Sequence, residues 1–239
     1  MSTGVYIGVL AVMFVAATVN ASTGFGQGLI AAPLFRLLHP ELLPVPIVVV
    51  GLIVTLKVLR QDTRLSDVRQ VVPALAGRVF GIGIALFLLA TLSEVGLSVA
   101  VGVIVLAFAL LRLSGLRIPQ TNRSLGGAGV VSGVGGTIAA LGGAPMALLY
   151  VQHAEARDFR GPIAAYTVIG SSMGLLALII AGEFDREAFG LVLRLLPAVL
   201  LGMVASRWVT PIIDRGYLRP LVLALSGTSA LVLIASSLI

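Results

Sequence analysis

The chain has no cysteine, one tryptophan, two histidines and few charges: only 11% of its 239 residues are Asp, Glu, Lys or Arg. The missing cysteine removes thiol catalysis, thiolate metal ligation and disulfides together. The shortage of charge excludes more. A soluble chain carries roughly 25% charged residues, so this one lacks the polar atoms to cover a water-facing surface. Its 58% hydrophobic composition and mean hydropathy of +1.10 call for lipid as solvent. A secreted disulfide scaffold, a cytosolic enzyme and a soluble nucleic-acid binder are thereby excluded. The net charge of +6 then reports topology rather than a nucleic-acid partner, because short cytoplasmic loops collect Arg and Lys. Met1 to Tyr6 carries no basic residue ahead of its apolar run and so lacks the n-region of a cleaved signal peptide, which leads us to expect mature structure there.

Absences also narrow the chemistry. All ten acidic residues fall in connections or at the ends of apolar stretches, so no intramembrane carboxylate relay is visible. There is no Walker loop to hydrolyse a nucleotide. Gly170-Ser-Ser-Met-Gly174 has the spacing of a nucleophile elbow but sits inside an apolar segment with no strand before it. No catalytic residue, metal site or cofactor is expected.

What is present is a series of apolar stretches, measured against the roughly 20 residues a helix needs to cross a bilayer. They are Gly4 to Asn20, Gly24 to Phe35, Leu42 to Leu56, Val71 to Leu92, Val95 to Leu111, Leu125 to Val151, Pro162 to Gly182, Ala188 to Ser206 and Leu218 to Ile239. Gly24 to Phe35 is too short to span, and Leu125 to Val151 is interrupted by Gly133-Val-Gly-Gly136 and Gly142-Gly-Ala-Pro145. If the second of these enters and returns on one side, the loops near Arg64, Arg117, Arg157 and Arg215 all become cytoplasmic. The acidic connections at Glu94 and Glu183 then lie outside, as does the N-terminus.

An offset of 116 residues places Gly26 on Gly142, Ala17 on Gly133, Pro46 on Pro162, Ile47 on Ile163 and Thr55 on Ser171. The expected fold is therefore an all-α integral membrane protein of two inverted repeats. Residues 1–116 hold a broken or re-entrant hairpin, Gly4 to Leu38, and three transmembrane helices; residues 117–239 hold the hairpin Leu125 to Val151 and three more. Chance alignment of apolar sequence is the alternative. Inverted repeats with broken helices at corresponding places are what secondary transporters use to build a midplane site.

Asn20-Ala-Ser-Thr-Gly-Phe-Gly-Gln-Gly28 and Gly135 to Pro145 carry the candidate site. Dense glycine weakens a helix by about 1 kcal/mol per residue relative to alanine, and broken helices expose N–H groups that suit an anion. The expected substrate-binding residues are Asn20, Ser22, Thr23, Gly24, Gly26, Gln27 and Gly28 in the first run and Gly136, Thr137, Gly142 and Gly143 in the second. Arg78, about seven residues inside an apolar stretch, is the expected charged contact. Close helix packing through small residues is the competing explanation for the glycines.

Gly24-Phe-Gly-Gln-Gly28 with Pro33, Ala140-Leu-Gly-Gly-Ala-Pro145, and the basic run from Leu59 to Arg69 resemble the motifs of the TauE/SafE family, the sulfite exporter-like permeases. The resemblance covers nearly the whole chain. Gln27 and Ala144 stand where the family pattern has glycine, as does Ala140, and Leu149 replaces a second proline. It implies a multi-pass carrier in the bacterial inner membrane for sulfite, an organosulfonate or another small organic anion, and an exporter. The partners expected are that anion and the lipid bilayer, with no nucleic acid and with a homodimer left open. The alternatives are a membrane enzyme, which needs a nucleophile and base that do not appear, and a structural or assembly subunit.

Overall fold

The computed structural model describes residues 3–62, 65–114, 118–150, 156–214, 227–228 and 230–235. Helices α1 (Thr3–Thr23) and α2 (Gln27–Leu38) form the first hairpin, and a short 3-10 turn, Pro40–Leu42, leads into α3 (Val45–Asp62). There follow α4 (Leu65–Gln70), α5 (Val72–Thr91), α6 (Glu94–Leu113), α7 (Asn122–Ala139), α8 (Gly143–Tyr150), α9 (Ala156–Ile180) and α10 (Arg186–Asp214). There is no strand among the described residues. Among the described residues five helices are long and apolar enough to cross a membrane: Thr3–Thr23, Val72–Thr91, Glu94–Leu111, Gly161–Ile180 and Arg186–Pro211. The basic connections at Arg64, Arg117 and Arg215 lie outside the described residues, as do Val151 and most of the last apolar stretch.

The helix ends follow from local chemistry. Ser93 caps α6 by accepting from Gly96 N, and Glu94 sits in its first turn, where a negative charge suits the helix dipole. Thr121 and Ser124 cap α7 reciprocally. Pro73 occupies the first turn of α5, where its missing N–H costs nothing.

The interruptions are shorter than the glycine-rich runs. In the first run only Gly24-Phe25-Gly26 leaves the helix, with φ of 82° at Gly24 and 97° at Gly26. Asn20 to Thr23 remain helical, because Ser22 Oγ donates to Thr18 O at 2.8 Å and Thr23 Oγ1 lies 2.9 Å from Val19 O, bonding back to their own helix. In the second run Gly133 to Gly136 also stay helical, and the break falls at Ala140, whose φ of 54° is left-handed for a residue with a Cβ. The first hairpin folds back far enough that a Cβ on Gly8 would lie 4.0 Å from Leu38 Cδ1.

Packing is tightest where glycines let backbones touch. A Cβ on Gly77 would strike Gly126, one on Gly81 would strike Val130 and Gly133, and one on Gly129 would strike Ala74. These contacts seat α5 directly on α7. On the other side α1 packs on α10, where a Cβ on Gly202 would come within 2.8 Å of Phe14 O, and α3 packs on α9 between the two pairs. In lipid such close approach takes the place of the hydrophobic drive that assembles soluble helices. Phe80, Phe87, Ile180, Leu201 and Trp208 point outward, as a lipid-solvated surface requires.

Charge is segregated along the bundle. A cleft of about 250 Å³ is lined by Arg36, Glu41, Glu94 and Glu183 and reaches inward to Val101 and Ile138. The Glu94 and Glu183 connections therefore share one face. Lys57, twelve residues and so about 18 Å along α3 from Val45, instead donates to Met203 O at 2.7 Å and Ser206 Oγ at 3.0 Å on α10.

Candidate functional site

The two breaks meet. A Cβ on Gly28 would overlap the carbonyl groups of Ala139 and Ala140, and a Cβ on Gly143 would overlap Phe25. Around this crossing lie two polar clusters of different chemistry.

The first belongs to α1, α2 and α3. Asn20 Nδ2 donates to Gln27 Oε1 at 3.2 Å and to Thr55 Oγ1 at 3.3 Å, Gln27 Nε2 donates to Ile47 O at 3.0 Å, and Thr55 Oγ1 donates to Gly51 O at 2.9 Å. All three side chains are buried. Only Asn20 Oδ1 in this cluster is without a partner. The network holds three helices together with neutral groups that largely satisfy one another.

The second centres on Arg78 of α5, whose side chain is 0% exposed. Its Nη1 donates to Ser132 Oγ at 3.2 Å, and Ser132 in turn donates to Gly142 O at the break of α7. The guanidinium lies over the Tyr166 ring, 5.1 Å from the centroid. Three glycines make room for it: a Cβ on Gly136 would fall 2.7 Å from Nη2, one on Gly142 would fall 2.6 Å from Nη1, and one on Gly170 would overlap Nε. A stacked ring is worth about 2 kcal/mol to a desolvated cation, and a charged hydrogen bond about 1.5–3 kcal/mol. Nε and Nη2 have no partner.

Neighbouring groups share that condition. Thr137 Oγ1, Thr167 Oγ1 and Tyr166 OH are buried and without a hydrogen-bond partner. A Cβ on Gly174 would come within 3.1 Å of Thr137 Oγ1, and one on Gly143 within 3.1 Å of Thr167 Oγ1. Tyr166, Thr167, Gly170 and Gly174 recur at one, three and four residues, which puts them on one face of α9. Unsatisfied buried polar groups cost about 1–3 kcal/mol each, so a cluster of them calls for an explanation beyond packing.

Of the residues singled out from sequence, Arg78, Gly136, Thr137, Gly142 and Gly143 come together at this second cluster. Asn20 and Gln27 form the first. Ser22 and Thr23 turn to their own helix and to the break, where Thr23 Oγ1 accepts from Phe25 N at 3.3 Å. Gly24 and Gly26 supply left-handed backbone, and Gly28 supplies close approach. Sequence reasoning missed Ser132, Tyr166, Thr167, Gly170 and Gly174. The signal was Gly170 and Gly174, four residues apart, with Tyr166 and Thr167 a turn earlier on the same face; their resemblance to a nucleophile motif hid it. His39 lies in the connection after α2, 3.4 Å from Glu41, and His153 lies outside the described residues.

The family model for the sulfite exporter TauE/SafE matches residues 9–233. The chain belongs to this family. No curated protein and no solved structure matches it. Members of the TauE/SafE family are membrane transporters and not enzymes, so this protein is a multi-pass membrane transporter of the cell membrane. The all-helical architecture of the described residues, with five long apolar helices among them, is that of such a protein.

Proposed function

We propose that the protein carries a small oxyanion, sulfite or an organosulfonate, out of the cell through a chamber between the two breaks. Arg78 supplies the charge, with Nε and Nη2 turned to the substrate, and Thr137, Tyr166 and Thr167 supply neutral hydrogen bonds to its oxygens. Ser132 and the Tyr166 ring hold the guanidinium in place. The single observation that carries this reading is a fully buried arginine with two nitrogens unpaired, seated in room that three glycines make for its guanidinium. An intramembrane cation is costly and marks function by default. Asn20 and Gln27 of the first hairpin, with Thr55 of α3, form the neutral cluster on the other side of the crossing.

The alternating cycle rests on two inverted repeats, 1–116 and 117–239. Helix pairing supports this reading: α1 packs on α10 and α7 on α5, which is the exchange expected when the first helix of each half meets the fourth of the other, the six-residue α4 being set aside. The 116-residue offset also carries one contact onto another, since Gln27 lies against Gly51 and Gly143 against Thr167. Cysteine substitution in this cysteine-free chain tests the topology. Positions 94 and 183 should label from outside intact cells and position 158 should not; labelling of 158 from outside overturns the inverted repeat.

Export follows from the membrane potential, which favours outward movement of one negative charge by about 2.3 kcal/mol per 100 mV. The transport test has two arms. Thermal shift with sulfite, thiosulfate, sulfoacetate, taurine and carboxylates identifies what binds, because a ligand raises stability by mass action. Flux from proteoliposomes at set valinomycin potentials then reads direction. Anion movement that ignores the potential but follows an imposed proton or sodium gradient would show a coupled carrier instead.

A further inference from the structure

We propose that the Arg78 chamber selects singly charged anions and rejects doubly charged anions of the same size and shape. The inference rests on the transporter reading and goes beyond it to the charge of the cargo.

The groups that face Arg78 come from four places. α7 supplies Ser132 and Gly136, the break supplies Gly142, α9 supplies Tyr166 and Gly170, and α5 supplies Arg78 itself; beside them Gly143 lies against Thr167 and Gly174 against Thr137. Among the described residues no carboxylate, histidine or second cation joins them. Lys57 is held on α10 by Met203 O and Ser206 Oγ, and Arg36 is held on α6 by Ser98 Oγ and Glu94 O, each at 2.8 Å. The chamber therefore carries one positive charge in surroundings that solvate charge poorly.

A monoanion bound there makes the loaded site neutral. A dianion leaves one negative charge buried with no counter-ion, and an unpaired buried charge is strongly unfavourable. Hydroxyls do not change that balance: Thr137, Tyr166 and Thr167 bring hydrogen bonds but no net charge. They also accept as well as donate, so they tolerate an acid proton on a singly ionised oxyanion.

Methanesulfonate and sulfate are matched probes, both tetrahedral sulfur oxyanions of similar size that differ by one charge. The full-length protein in proteoliposomes, with the potential clamped to zero, should move methanesulfonate at least about tenfold faster than sulfate. Inorganic phosphate gives a second readout on the same protein, since its second proton leaves near neutrality. Phosphate flux should fall as pH rises through that range while methanesulfonate flux stays level. Sulfate flux equal to or above that of methanesulfonate, or phosphate flux that rises with its second ionisation, overturns the charge rule and leaves the transporter reading standing. If neither sulfur anion moves and neither raises the thermal midpoint, the oxyanion-carrier reading falls and the charge rule with it.

Discussion

In the first hairpin the chain breaks at Gly24 and Gly26 and fills the gap with its own amides; in the second it breaks at Ala140 and leaves the gap to a guanidinium from another helix. The 116-residue offset sets the members side by side. Asn20 answers to Gly136, Gln27 to Gly143, and Gly51 to Thr167. Where one member places an amide against a glycine, the other places a glycine against a hydroxyl. The two amides that close the first gap are absent from the second, and at Gly136 the Arg78 guanidinium enters the space a side chain would occupy. Two similar backbone interruptions thus acquire different chemistry: a largely satisfied neutral brace on one side and a charged, incompletely satisfied recess on the other.

The sharpest way to break that comparison is at Arg78. Arg78→Gln should lower flux by about 100-fold or more, the equivalent of roughly 3 kcal/mol for lost charge-assisted bonds to an anion. Stability should move the other way. Replacing a buried charge with a well-packed apolar side chain is often neutral or stabilising, so Arg78→Met should keep or raise the thermal midpoint of the unliganded protein while abolishing any ligand-induced shift. A large fall in midpoint with a surviving ligand shift would make Arg78 a structural residue.

The glycine cradle comes next. Gly136→Val, Gly142→Val and Gly170→Val each push a methyl-bearing carbon into the guanidinium, and overpacking of this kind costs about 1–3 kcal/mol. Flux should fall by roughly tenfold to a hundredfold in protein that still inserts. Gly83, whose Cβ would meet nothing within 4 Å, is the control, and Gly83→Val should be nearly silent.

Gln27→Ala should act mainly on stability. It leaves Asn20 Nδ2 and Ile47 O short of a partner, at about 1–3 kcal/mol, while flux per folded molecule stays within a few-fold of wild type. A loss of anion affinity as large as that of Arg78→Gln would show that both hairpins bind the substrate equally.

Much of this contrast was legible in the chain. Apolar length located the long apolar helices α1, α5, α6, α9 and α10, although α3, which carries Lys57, Arg60 and Asp62, is not among those long and apolar enough to cross; glycine density located both breaks to within a few residues, and one arginine inside an apolar stretch announced itself. The polar residues around the breaks were less legible. Asn20, Ser22 and Thr23 look alike as donors in sequence, yet Ser22 and Thr23 bond to carbonyls one turn back, and only the helical geometry decides which hydroxyls are free. Gly77, Gly81, Gly129 and Gly133 serve helix contact while Gly136, Gly142 and Gly170 serve a cation, a division set by which helix lies opposite. Tyr166 and Thr167, far along the chain from Arg78, carried only the mark of Gly170 and Gly174 a turn later on the same face.

The smallest effect separates the two roles of Tyr166. Its ring lies under the guanidinium at 5.1 Å from the centroid, and its hydroxyl has no partner. Tyr166→Phe keeps the stack and removes one hydroxyl from the chamber, so anion affinity should fall by about threefold to tenfold, the worth of a single hydrogen bond of roughly 0.5–1.5 kcal/mol. Tyr166→Leu removes the ring as well and lets the guanidinium shift, so its loss should exceed that of Tyr166→Phe by the stacking contribution of about 2 kcal/mol. Thermal titration with methanesulfonate reads both variants. If Tyr166→Phe binds as tightly as wild type while Tyr166→Leu is crippled, the ring positions Arg78 and the hydroxyl does not touch the anion. Equal losses in the two would assign the whole effect to the hydroxyl and leave Ser132 alone to orient the cation.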